Sequence, residues 1–313
     1  MLNIQKNIKM AIHTSFNIGG EARYFVEVVN ENELEEALKY ALENKIDFFV
    51  LGSGSNILIS DNGFDGIIIK LKTEDLKLKV NENNSIECFA GESLAKIVNF
   101  ARDNSLSGLE WAVGIPGTVG GAVRGNAGAF GGDMQNIVDR VECIYTDDNL
   151  KKKIFSAKEC QFAYRNSLFK KNPDLIIASV IFKLKEGNRE EINNKMRNII
   201  LQRKEKNPRE SKNAGSFFVN PVINNKKLLE EFEKDSGKKN INNIIPAGWL
   251  IQEAGLSGKQ IGGAAVSEKH ANFIVNIGNA TAEDVIMLAS IIKQKVRTKF
   301  GVQLVEEVKL LGF

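Results

Sequence analysis

Gly114-Ile-Pro-Gly-Thr-Val-Gly-Gly-Ala122, continuing through Gly125-Asn-Ala-Gly128, is the stretch on which the fold turns. Between Gly108 and Gly132 there are 9 glycines in 25 residues, a third of the chain's 27. Glycine has no Cβ, so its backbone reaches φ > 0 and a ligand can approach the main-chain N–H groups closely. Successive unpaired N–H groups form an anion-binding nest. From Ala112 to Gly132 the one charged side chain is Arg124, so an anion held here is held mainly by main-chain dipoles. An isolated glycine pair would read as a tight turn. This density, with Thr118 and Asn126 supplying polar side chains, reads as a phosphate cradle.

A second glycine loop, Gly52-Ser-Gly-Ser-Asn56, follows the apolar run 47–51. It opens like a Rossmann fingerprint, but Ile57 stands where the third glycine belongs, and the chain continues as a strand rather than a helix. A GxxxxGK[ST] phosphate loop is also missing, since Gly258-Lys259 is followed by Gln260. Two phosphate-type loops of neither common kind fit a dinucleotide with a pyrophosphate, such as FAD. The cofactor contacts read from them are Gly52, Ser53, Gly54, Ser55, Asn56 and Leu58 in one loop. In the other they are Gly114, Ile115, Pro116, Gly117, Thr118, Gly120, Gly121, Ala122, Asn126, Ala127 and Gly128.

Working outward, the chain has 313 residues, enough for about two domains at roughly 150 residues each. Net charge is +3, without the basic excess of a nucleic-acid footprint. Hydrophobic residues make up 43% and charged residues 26%, which argues for a packed core and against disorder. Cys88, Cys143 and Cys160 form no CxxC pair, and His13 and His270 are the only histidines, so no metal site is expected. The three thiols read as buried and reduced. The N-terminal sequence lacks a signal-peptide apolar region, and no apolar window is long enough to span a membrane. A cytoplasmic protein is expected, with no nucleic-acid or membrane partner.

Periodicity gives strands at 24–29, 47–51, 66–71, 85–90, 138–145, 176–184 and 303–311. Helices follow Asn30 (a capping box with Glu33), begin at Ser93, and cover 189–205, 225–234 and 246–254, the last with proline in its first turn. Another is capped by Thr281 and Asp284 and stopped by Gly301, with Val285, Leu288, Ala289, Ile292 and Val296 as its apolar stripe. The stretch 207–215 reads as a linker. Strands in succession favour an α+β fold over a doubly wound sheet.

The ordered set GSGSN-ILISD, GIPGTVGGAV-R-GNAGAFG, YRNS, NAGSFF-NP and EEVKLLG spans Thr14 to Gly312. It resembles the UDP-N-acetylenolpyruvoylglucosamine reductases, flavoproteins of peptidoglycan precursor synthesis. The resemblance implies an FAD-binding region of the vanillyl-alcohol-oxidase/PCMH type over 1–205, as two α+β subdomains of about 1–72 and 73–205. A C-terminal α+β substrate-binding domain over 206–313 would follow. It further implies NADPH as hydride donor to noncovalent FAD, and hydride delivery from flavin N5 to the enolpyruvyl ether of a UDP-sugar.

Three matched positions would carry the chemistry. Ser216, in NAGSFF, corresponds to the proton donor; Arg165, in YRNS, to the arginine facing the substrate carboxylate; Glu307, in EEVKLLG, to a glutamate acting on the enolate. Glu306 competes with Glu307, and alternation along a strand would let only one face the site. Tyr164, Lys206 and Asn220 match substrate contacts, with His270 or Asn272 as a further one. Gly125 and Val219 depart from the family pattern, and the short spacing after Tyr164-Arg165 matches the loop-less type II subtype. A monomer is expected. Two other readings stand beside this one. The first is a related FAD-dependent oxidase or dehydrogenase of another alcohol or sugar, against which neither glycine loop offers a His or Cys for covalent flavin attachment. The second is a nucleotide- or RNA-binding module using Lys151–Lys153 and 203–212, where acids intermix with the bases or the chain is linker.

Overall fold

Helix α1 (Glu31–Glu43) begins where Asn30 accepts a hydrogen bond from the Glu33 N–H, and it buries Leu34, Ala37, Leu38 and Ala41 along one face. The Glu33 carboxylate reaches back to the Val29 N–H (2.9 Å), one residue before the cap, rather than closing the reciprocal box. This computed structural model describes residues 2–73, 78–208, 211–240 and 242–313; Arg209 and Glu210 of the linker, and of the basic stretch 203–212, lie outside the described residues. The chain divides into two compact units: Met1–Ile8, Ala22–Ser53 and Asp65–Glu205 in the first, Lys9–Glu21, Gly54–Phe64 and Lys206–Phe313 in the second. The division falls inside the GSGSN loop.

In the first unit a four-stranded sheet runs in the order Gln5–Lys9, Glu21–Val28, Phe64–Leu71, Phe48–Leu51, the last two parallel. A five-stranded sheet runs Lys151–Ser156, Val138–Tyr145, Leu175–Lys183, Ser85–Phe89, Val80–Asn81, antiparallel throughout. The unit also holds α2 (Leu94–Asp103), α3 (Val119–Arg124), α4 (Leu168–Lys171) and α5 (Arg189–Lys206). One hydrophobic cluster joins Val26 and Ile67 of the first sheet, Val141, Val180 and Phe182 of the second, and the buried faces of α1 and α2. Pure antiparallel pairing in the larger sheet is what strands in succession produce.

The second unit holds α6 (Lys226–Ser236), α7 (Ala247–Glu253) and α8 (Ala282–Phe300). Its antiparallel sheet runs Lys212–Asn213, Ile274–Asn276, Ala264–Val266, Gln260–Ile261. A parallel pair joins Ile57–Ile59 to Lys309–Leu311. Thr281 and Asp284 form the full capping box of α8, Gly301 ends it at φ +69, and all five residues of its stripe are buried. Phe16, Ile18 and Leu58 complete this core, packed with Phe217, Phe218 and the α8 stripe. Pro246 is the N-cap of α7 rather than a first-turn residue.

One strand is much shorter than its sequence suggests: of 303–311 only Lys309–Leu311 is strand. The segment changes partner there. Val219 N–H donates to Val305 O (2.9 Å), and Phe217 O accepts from both Glu307 N–H (2.8 Å) and Val308 N–H (3.5 Å). Lys309 N–H then turns to Asn56 O (3.1 Å). A chain that serves two neighbours in five residues cannot keep one ladder register.

Candidate active site

In the first unit Gly52, which opens the GSGSN loop, meets Thr118 of the second glycine loop. A Cβ on Gly52 would lie 2.5 Å from Thr118 Oγ1, so only glycine lets the loops approach this closely. Thr118, 4% exposed, caps α3 by accepting from the Gly121 N–H (3.3 Å). The loop turns on Gly114 (φ +75) and Gly117 (φ +141). Gly114, Pro116 and Gly121 are exposed, so its rim is open. The nest is narrower than the glycine count suggests. An antiparallel bridge between Ser93 and Thr118 sews the loop to residues 90–94. The N–H groups of Val119 and Gly120 donate to Glu92 O (2.9 Å) and Ala90 O (2.8 Å). Those of Gly117 and Thr118 donate to no carbonyl among the described residues.

Buried Asn126 (φ +42) is a brace: its amide donates to Ala163 O (2.9 Å) and accepts from Gln135 N–H (3.1 Å). Through it the glycine loop holds a tight turn in which Ala163 and Asn166 exchange both main-chain hydrogen bonds, with Tyr164 and Arg165 at the tip. Arg165 sits at φ +53, a conformation a turn must enforce. Its Nη2 donates to Gly128 O (2.8 Å), its carbonyl accepts from Lys170 Nζ (2.9 Å), and its guanidinium stacks on the Tyr164 ring (5.2 Å). Ser167 caps α4 and donates to Arg124 O (2.7 Å), a tie that nothing in the local pattern announces. Arg124 is half-buried, burial pushes its pKa below the usual arginine value, and its guanidinium makes no ion pair or hydrogen bond among the described residues.

In the second unit Ser216 and Glu307 belong to neighbouring segments, since Glu307 N–H donates to the carbonyl of Phe217. Gly215, at φ +80, precedes Ser216, and Asn213 Oδ1 accepts from its N–H (2.9 Å). The Ser216 hydroxyl, half-buried, makes no hydrogen bond among the described residues. Glu306 pairs with Lys293 of α8 (2.8 Å), so the two adjacent carboxylates have different surroundings. Asn56 Nδ2 donates to the Glu307 carbonyl (3.3 Å), which ties the GSGSN loop to the glutamate's backbone.

The remaining sequence candidates divide. Lys206 is at the exposed end of α5. Asn220 Oδ1 accepts from Ala247 N–H (2.9 Å), holding the start of α7. His270 packs edge-on against Phe273 (4.9 Å between ring centres), and its Nδ1 accepts from Asn272 N–H (3.2 Å). Burial lowers its pKa below the usual histidine value, against the smaller opposite effect of a hydrogen bond with its own backbone. The neutral ring then carries its proton on Nε2. All three cysteines are free and buried, and burial pushes their thiols up, that of Cys160 to about 12. Among the described residues no group of three His, Cys, Asp or Glu could hold a metal, and no helix is long and apolar enough to cross a membrane.

A family model described as an FAD binding domain matches residues 22–152. A second, the UDP-N-acetylenolpyruvoylglucosamine reductase C-terminal domain, matches 207–311. The reductase of that name from Caldanaerobacter subterraneus subsp. tengcongensis is 40% identical over 306 residues, 98% of this chain and 93% of the relative. The chain belongs to the UDP-N-acetylenolpyruvoylglucosamine reductase family. The reductase from Carboxydothermus hydrogenoformans is also 40% identical, over 99% of this chain and 94% of its own. The crystal structure of the reductase from Thermus caldophilus superposes with a TM-score of 0.78 at 32% identity, covering 99% of this chain and 100% of that one.

The fold is thus the PCMH-type FAD-binding domain followed by the family's C-terminal domain. The enzyme is an FAD-containing oxidoreductase of peptidoglycan precursor synthesis that reduces UDP-N-acetylenolpyruvoylglucosamine. The residues present fit FAD. Gly52 leaves the two loops in contact, the Gly117 and Thr118 N–H groups are unspent, and no carboxylate lies between Ala112 and Gly132 to repel a pyrophosphate.

Proposed function

We propose that Ser216, Arg165 and Glu307 carry the reduction of the enolpyruvyl ether to a lactyl ether, with NADPH as electron source. The two glycine loops would hold FAD noncovalently, and when bound it would supply a hydride from N5 to the terminal methylene carbon of the enolpyruvyl group. The C=C electron pair then moves onto the neighbouring carbon and its carboxylate as an enolate. A guanidinium fork strengthens its hold on carboxylate oxygens as that charge grows. Arg165 suits this role because Gly128 O, Lys170 Nζ and the Tyr164 ring fix its place on the turn. Ser216 Oγ gives its proton to the carbon bearing the carboxylate, and Glu307 orients or assists that transfer. The observation that carries the reading is the Ser216 hydroxyl, uncommitted among the described residues, beside the segment that bears Glu307.

Tyr164, Lys206, Asn220 and His270 would contact the UDP-sugar, His270 through its Nε2–H. We place the enzyme in the cytoplasm as a monomer that takes its UDP-sugar and NADPH as small-molecule partners. The test is spectroscopic. The purified protein is expected to be yellow, to bleach with NADPH and to regain its colour on adding the enolpyruvyl UDP-sugar. Ser216→Ala keeps the bleaching rate and slows recolouring by about 10²–10⁴-fold, the usual weight of general acid catalysis. Equal loss in both half-reactions removes Ser216 as proton donor.

A further inference from the structure

Asn272 is 3% exposed, and every polar group it carries is committed. Its side-chain oxygen accepts from Phe218 N–H at 3.0 Å while its amide nitrogen donates to Phe218 O at 2.8 Å. Its carbonyl accepts from Phe217 N–H at 2.7 Å, and its own N–H donates to His270 Nδ1 at 3.2 Å. Three of these four bonds land on the two residues that follow Ser216. A side-chain amide bonded to both the N–H and the C=O of one residue does the work of a neighbouring strand. It holds both peptide groups that flank the Phe218 Cα, as a ladder would.

Phe217 O is already shared by Glu307 and Val308 N–H, and a bridge pairs Phe218 with Glu306. Segment 217–218 is therefore the middle of three chains, held on one flank by main chain and on the other by Asn272. Both phenyl rings, each 1% exposed, anchor it below. On the near side of Ser216 the backbone is held at one point, where the Gly215 N–H (φ +80) donates to Asn213 Oδ1. Most of the bonds that set the direction of Ser216 Oγ therefore lie on its far side. A substrate contact for Asn272 does not fit, because both ends of its amide are spent.

We propose that Asn272 is the positioning residue for Ser216, acting through the Phe217–Phe218 backbone and touching neither substrate nor cofactor. This rests on the reading of Ser216 as proton donor. In Asn272→Asp the Phe218 carbonyl faces a carboxylate oxygen instead of an N–H, while the other contacts keep their shape. Each half-reaction is followed by stopped-flow absorbance on the FAD-loaded enzyme, in four proteins: parent, Asn272→Asp, Ser216→Ala and the double variant.

Reduction by NADPH stays within about twofold of the parent in all four. Reoxidation by the enolpyruvyl UDP-sugar falls about 10²-fold in Asn272→Asp, the scale of an ångström-size misplacement. In the Ser216→Ala background the same substitution changes reoxidation less than about twofold, because there is no longer a hydroxyl to aim. Asn272→Ala, which leaves Phe218 N–H and C=O unpaired, carries the same expectation if the Asp variant does not load FAD. Equal slowing of both half-reactions, unchanged reoxidation, or a full additive loss in the Ser216→Ala background overturns the proposal. Ser216→Ala alone reoxidising at the parent rate overturns the donor assignment instead, whatever Asn272→Asp does.

Discussion

Replacing Gly52 by alanine tests whether the two glycine loops form one cradle. The new methyl would sit 2.5 Å from Thr118 Oγ1 and 3.2 Å from its Cγ2. Thr118 is 4% exposed, so the methyl has to be taken up within packed surroundings. Overfilling a packed site costs about 1–3 kcal/mol. If Thr118 rotates instead, it gives up its bond to Gly121 N–H, and losing such a cap costs about 0.5–2 kcal/mol. The two routes bracket a loss of about 0.5–3 kcal/mol, which for a chain of this size lowers Tm by roughly 1–5 °C. Because the strain is lodged in the cradle, FAD affinity falls about tenfold or more, at 1.4 kcal/mol per decade. Calorimetry and flavin fluorescence titration read the two effects. The decisive comparison is a double-mutant cycle with Thr118→Ala, which removes both clashing atoms and leaves Thr118 Cβ at an ordinary 3.4 Å. In that background Gly52→Ala costs less than about 0.5 kcal/mol. Strictly additive effects would refute the claim that the loops meet at this pair.

Arg165→Lys slows reoxidation by about 10²–10³-fold and spares reduction by NADPH, since an ammonium cannot hold Gly128 O and also present a fork; unchanged reoxidation takes Arg165 out of the site. His270 gives a pH signature. Its folded pKa lies below its unfolded value, so on acidification the unfolded chain takes up the proton first. The stability this residue contributes is full above the unfolded value of about 6.5 and is lost as pH falls below it, by up to about 1.4 kcal/mol per pH unit. His270→Asn, whose amide oxygen can replace Nδ1 as acceptor, removes that slope in urea unfolding between about pH 8 and pH 5; identical slopes in the two proteins refute it.

What the sequence made legible was whatever is decided within a few residues. The α8 cap, its stripe and its glycine stop are each a local contest, and Thr281, Asp284 and Gly301 appear in their expected places. The glycine loops were legible for the same reason. Their pairing through Gly52 and Thr118 was not, because 66 positions separate the two residues and neither neighbourhood names the other. The segment 303–308 alternates like a strand but gives its hydrogen bonds to two partners in turn, and periodicity carries no record of a change of partner. The ion pair of Glu306 with Lys293 was likewise not legible, because its partner comes from a helix whose register only packing fixes. Asn272 was legible as a polar residue near the site. Its bonds to Phe218 show that it works on the backbone and not outward.

The parallel pairing of Ile57–Ile59 with Lys309–Leu311 bears on how this protein is made. A ribosome adds roughly 5–20 residues per second, so the roughly 250 residues between these strands take on the order of 12–50 s to emerge. For that interval the 54–64 segment, carrying buried Leu58, has no mate for its strand edge. A fragment starting at residue 206 would lack that edge altogether, together with the Phe16 and Ile18 side chains of the same core. The early segment is thus a natural client for chaperones during synthesis, and premature stops near the 3′ end of the message would yield chains that are almost full length yet cannot close their second core.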